Sequence, residues 1–125
     1  MTIEHGKTLI TVIGDIITIK AIGAFNKEGI VKTIAQLKSE IENFDGNEFK
    51  LLFNYLETEG GTPDVFEKIN ECNVWLNTQK MVAKALVIQS SAHLAILESR
   101  TPARRSQNAQ NFDNIEAAMN WLKRQ

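Results

Sequence analysis

Two runs rich in Ile, Val and Thr, Thr8 to Ile13 and Ile16 to Ile22, are separated by Gly14 and Asp15 alone. A Gly-Asp pair at that spacing is what a two-residue hairpin turn requires, so the runs are predicted to pair as a β-hairpin. From Asn26 the period changes. Ile30, Ile34, Leu37, Ile41 and Phe44 recur every three or four residues, which predicts a long amphipathic helix capped by Asn26 and stopped at Gly46. Phe49 to Leu56 is then a short apolar run with little alternation, as a strand near the sheet centre and covered on both faces would be.

The polar stretch Glu57 to Gly61 reads as a link to Thr62-Pro63-Asp64, where a cap residue, a proline at the first helical position and an acid in the first turn start a second helix. Its core stripe is Val65, Ile69, Cys72 and Leu76, widened by Phe66 and Trp75, and it is expected to end near Gln79. Met81 to Gln89 resumes strand character, and a third helix is expected from Ser91 toward Arg100, stopped by Pro102. A short strand at Ala109 to Phe112 precedes a terminal helix with Asp113 as its cap and Ile115, Ala118, Met119 and Leu122 on one face. The order β-β-α-β-α-β-α-(β)-α implies an α/β fold with helices packed on a mixed sheet, in one domain spanning residues 1–125.

Composition narrows the function classes. Fourteen Lys and Arg against fifteen Asp and Glu leave a formal charge of -1, without the basic excess of a nucleic-acid or anionic-membrane binder. The most apolar stretch, Leu9 to Ile22, is broken by Gly14, Asp15 and Lys20 and is too short for a membrane span. The polar start, Met1 to Lys7, lacks the apolar run of a secretory signal, so a cytoplasmic location is expected. A single cysteine, Cys72, fits a thiol used as core packing.

The opening hairpin, the Ala24-Phe25-Asn26 entry to the first helix and the ending Phe112-Asp113-Asn114-Ile115-Glu116-Ala117-Ala118-Met119-Asn120-Trp121-Leu122 together resemble the SpoIIAA-like family. These small bacterial proteins are relatives of STAS domains, the anti-sigma-factor-antagonist fold, and the ending is similar to the family's F-D-x-x-E-A-x-x-W-L close. In STAS regulators a serine in a D-S-x-G-L motif after the third strand takes a regulatory phosphate. The corresponding place reads Gly60-Gly61-Thr62-Pro63-Asp64-Val65, which lacks the motif's acid, serine and Gly-Leu pair. The resemblance makes Thr62 the candidate phospho-acceptor, and the residues themselves make it a helix cap.

Catalytic signals are sparse. Gly60-Gly61 before a helix could cradle a phosphate, but Glu57, Glu59 and Asp64 surround it with like charge, and no G-x-G-x-x-G or Walker sequence is present. The ordered ligand spacing of a calcium loop is missing as well, so neither a metal nor a cofactor is expected. His93 follows Ser90 and Ser91 without a G-x-S-x-G elbow, and the serines read as caps. No enzyme is expected.

The third helix has two apolar sides. Ala92, Ala95, Ile96 and Ser99 lie opposite Leu94, Leu97 and Thr101 at 100° per residue. One side is expected to cover the sheet and the other to bury against a second subunit or to line a groove for an apolar ligand. Leu94 and Leu97, together with Arg100, Arg104 and Arg105 in the basic segment that follows, are the candidate interface. The expected function is a non-catalytic interaction or regulatory module, homodimeric. The alternative is a carrier or sensor of a lipid or other small apolar ligand, with Phe66 and Trp75 as its apolar face.

Overall fold

The computed structural model describes residues 3–125. The hairpin forms as its turn residues dictate: β1 (Lys7–Ile13) runs antiparallel to β2 (Ile16–Phe25), with Ile13 opposite Ile16. Gly14 takes φ 60°, a conformation costly for any residue with a Cβ. Three parallel strands complete a five-stranded sheet in the order β1-β2-β3-β4-β5: β3 (Phe49–Gly61), β4 (Met81–Val87) and β5 (Ala109–Phe112). β3 is the central strand, which is why Leu51 and Leu52, on opposite faces, both have no solvent exposure.

Four helices cover the faces: α1 (Lys27–Glu42), α2 (Pro63–Leu76), α3 (Ser91–Arg100) and α4 (Ile115–Lys123). The apolar stripes of α1 and α2 bring Leu37, Ile41, Cys72 and Leu76 onto Ile17, Ile19, Phe49 and Leu51. α3 joins the same face, where Leu97 packs on Phe66, Leu86 and Ile88. α4 alone covers the opposite face, setting Ala118 and Leu122 on Leu52, Ala83, Ala85 and Val87. A 3-10 turn, Pro102–Ser106, links α3 to β5.

Four expectations are corrected. The polar stretch Glu57 to Gly61 is strand, because the end of β2 extends to Phe25 and pairs with it, Ile22 opposite Glu57 and Phe25 opposite Gly61. Its polarity reflects an exposed strand end, held by the Thr58 hydroxyl donating to the Gly23 carbonyl at 3.0 Å. α1 ends at Glu42, before Phe44 and Gly46, and α2 ends at Leu76, before Gln79. The cap of α4 is Asn114, not Asp113: the Asn114 side chain accepts from the Ala117 amide at 2.8 Å.

Candidate functional site

β4 carries a lysine inside an apolar run, Ala83-Lys84-Ala85-Leu86. Strand alternation sends Ala83 and Ala85 toward α4 and turns Lys84, with Leu86, toward α2 and α3. Lys84 is 5% exposed. Its Nζ donates to Asn73 Oδ1 at 2.7 Å and stands 5.7 Å from the centre of the Phe53 ring. No carboxylate pairs with it among the described residues. Burial lowers the Lys84 pKa from 10.5 to about 7; Arg104 pushes the same way and Cys72 opposes.

The second cation reaches this place from the 3-10 turn. Asn70, Asn73 and Asn77 share one side of α2 by helical spacing and hold that turn. Asn70 Oδ1 accepts from the Ala103 amide at 3.0 Å, and Asn77 Nδ2 donates to the Ala103 carbonyl at 2.9 Å. Gln107 Nε2 donates to Asn73 at 3.2 Å and to Asn77 at 3.0 Å. Arg104 is thereby directed inward. Its Nη2 donates to Asn111 Oδ1 at 3.0 Å, while its buried Nη1 has no hydrogen-bond partner among the described residues.

Lys84, Arg104, Asn73, Tyr55 and Cys72 all line one cavity of about 60 Å³ beneath α1 and α2, whose remaining wall is chiefly aliphatic. A second cavity of about 30 Å³ shares Ala21, Ile30, Tyr55 and Ile69 with it and extends to Phe66 and His93. Tyr55 stacks on His93 with ring centres 5.9 Å apart, and Phe66 meets the His93 edge at 6.2 Å. Burial raises the pKa of Tyr55 and of Cys72 and lowers that of His93. The pair of cavities is therefore a largely apolar space, with Lys84, Asn73 and Arg104 in the larger and His93 in the smaller.

The residues singled out from sequence are distributed differently from their expected grouping. Leu94 and Leu97 do not form an outward interface: Leu97 is 3% exposed and both pack into the chain's own core, because α3 turns that side to the sheet. Its outward side is Ala92, Ala95, Ile96 and Ser99. The basic segment splits, with Arg100 and Arg105 exposed and Arg104 turned into the cavity wall. Phe66 and Trp75 do not share a ligand face. Phe66 is buried and lines the smaller cavity, whereas Trp75 is partly buried against the core that α1 and α2 form on the sheet, with Lys38 Nζ 4.9 Å from its ring centre.

Thr62 occupies the cap position of α2 in an extended conformation, but its hydroxyl donates to Asp64 and does not accept from the helix. Ser90 does cap α3, accepting from the His93 amide at 3.1 Å. Among the described residues no group of three His, Cys, Asp or Glu side chains could hold a metal ion. Sequence reasoning missed Lys84, Asn73 and Tyr55. The signal for Lys84 was available: in a strand of period two it must share a face with Leu86.

This architecture defines an α/β chain of SpoIIAA-like, STAS-related fold. The chain is similar to an uncharacterised protein of the DUF3478 family with a SpoIIAA-like fold from Shewanella loihica PV-4, at 16% identity and a TM-score of 0.70, over 98% of this chain and 97% of that one. It is also similar to the anti-sigma factor antagonist SpoIIAA in its unphosphorylated form, at 10% identity and a TM-score of 0.67, over 95% and 98% of the two chains. The phosphorylated form of the Bacillus cell fate determinant SpoIIAA gives 11% identity and a TM-score of 0.57, over 93% and 99%. No protein-family model and no curated protein sequence matches the chain. No helix is long and apolar enough to cross a membrane among the described residues.

Proposed function

We propose that this chain is a non-catalytic, cytoplasmic regulatory module of SpoIIAA-like fold that takes up a small apolar ligand between its sheet and α1 and α2. The observation that carries this reading is the apolar cavity of about 60 Å³ and its smaller neighbour. Walls left without packing partners lose dispersion contacts that a ligand restores. The fold likeness to an anti-sigma factor antagonist supports a regulatory role, and the use of Ser90 as a cap with the His93 ring packed on Tyr55 and Phe66 supports the absence of catalysis. The test is a titration with 1-hexanol, followed by methyl NMR and thermal unfolding. Shifts at Ile69 and Leu86 with a raised Tm are expected; an unperturbed spectrum at saturating alcohol refutes the reading.

A homodimer is a second reading, favoured by the sheet edge. β1 lies at that edge and exposes Leu9, Val12 and Ile13, the last at 70%. An unpaired edge strand with apolar side chains is a template for a second copy. Sedimentation equilibrium should give a dimer that Val12→Lys converts to monomer; a monomer throughout removes this reading.

A further inference from the structure

We propose that the ligand taken up by this cavity is an acid, a short-chain monocarboxylate whose head group sits between Lys84 and Arg104. The inference rests on the ligand-binding reading above and names the chemical class. Among the described residues, two basic side chains and no Asp or Glu line the larger cavity. A buried ammonium satisfied by one neutral amide oxygen lacks the counter-charge that buried cations ordinarily have. Arg104 Nη1 is a buried donor with no acceptor among the described residues. Glu98 shares an outer groove with Arg104 and Arg105 but forms no ion pair with either among the described residues.

The geometry also selects the head group. Arg104 already spends Nη2 on Asn111, so the corner offers Nη1 and the remaining Nζ hydrogens. Two acceptor oxygens match that offer. A phosphate brings more oxygens and a second charge, which would face aliphatic wall at a desolvation cost. Tyr55 and Ile69 line both cavities and provide the path along which an alkyl tail continues toward Phe66.

Calorimetric titration of the full chain with hexanoate, 1-hexanol and butyl phosphate tests the proposal. Hexanoate should bind at least about tenfold more tightly than either competitor. Lys84→Met and Arg104→Gln, checked for folding by NMR, should each abolish that preference by weakening hexanoate far more than 1-hexanol. Arg104→Gln alters a turn and tests the assignment even if Lys84→Met does not fold. Equal affinity for acid and alcohol overturns the head-group site and leaves the ligand-binding reading standing. A preference for butyl phosphate overturns the carboxylate, and a preference that survives both substitutions overturns Lys84 and Arg104. Binding of none of the three overturns this proposal and the ligand-binding reading together.

Discussion

The ammonium of Lys84 and the side-chain oxygen of Asn73 lie 2.7 Å apart inside the fold, and among the described residues this is the one hydrogen bond the ammonium makes. Removing the oxygen leaves a buried donor unsatisfied, whereas removing the lysine leaves an amide that Gln107 still contacts at 3.2 Å. Asn73→Leu should therefore cost about 2 to 3 kcal/mol, while Lys84→Met should cost little or stabilise. The double variant should recover most of the loss from Asn73→Leu. Urea unfolding of the four proteins measures this, and strictly additive effects would show that the pair is not coupled.

The same lysine makes stability depend on pH. Its pKa is lowered from 10.5 to about 7 in the folded chain, chiefly by burial. Between those values the unfolded chain holds a proton that the folded chain has released, so stability rises with pH, at most by about 1.4 kcal/mol per pH unit. Below about pH 7 this group contributes no slope. Cys72 and Tyr55 have raised pKa values and act in the opposite direction at higher pH, and His93, whose pKa is lowered, acts at lower pH. Denaturation between about pH 7 and 9 should show a rise in the parent that Lys84→Met lacks. Parallel profiles would refute the assignment.

Local chemistry made much of this fold readable. The Gly14-Asp15 pair fixed the hairpin, and Ser91–Arg100 and Ala109–Phe112 form their elements at the bounds their sequence suggests. The site was less legible because its parts come from separate elements. Lys84 is on β4, Asn73 on α2 and Arg104 in a 3-10 turn, and nothing local announces that Asn70, Asn73 and Asn77 tie that turn inward. Leu94 and Leu97 illustrate the same limit: two apolar sides of a helix are visible in sequence, but which one meets the sheet is decided by tertiary packing.

Capping offers a test of a corrected assignment. The hydroxyl of Thr62 bonds Asp64, whereas Asn114 and Ser90 accept from helix amides at 2.8 and 3.1 Å. Asn114→Ala and Ser90→Ala should each cost about 1 kcal/mol, the usual loss of a cap. Thr62→Ala should cost less than about 0.5 kcal/mol, since Pro63 presets the first turn of α2 without help from the hydroxyl. A cost for Thr62→Ala equal to the others would show that its hydroxyl caps α2 in solution.

The start of α1 carries a constraint that reverses an ordinary substitution rule. Gly29 lies in the first turn, and a Cβ built there would stand 1.9 Å from the His5 carbonyl oxygen. Asn26 holds the N-terminal segment at this point, accepting from the His5 amide at 2.8 Å and donating to the Ile3 carbonyl at 2.8 Å, while its Oδ1 also caps Gly29 at 3.0 Å. Glycine to alanine in a helix normally gains up to about 1 kcal/mol. Here the added methyl must displace His5 and break that clamp, so Gly29→Ala should destabilise by about 1 to 2 kcal/mol. Deleting residues 1–5 removes the obstructing carbonyl, and in that background Gly29→Ala should become neutral or stabilising. Thermal unfolding of the four proteins compares the signs, and a loss that persists in the truncated chain would place the strain within α1 itself.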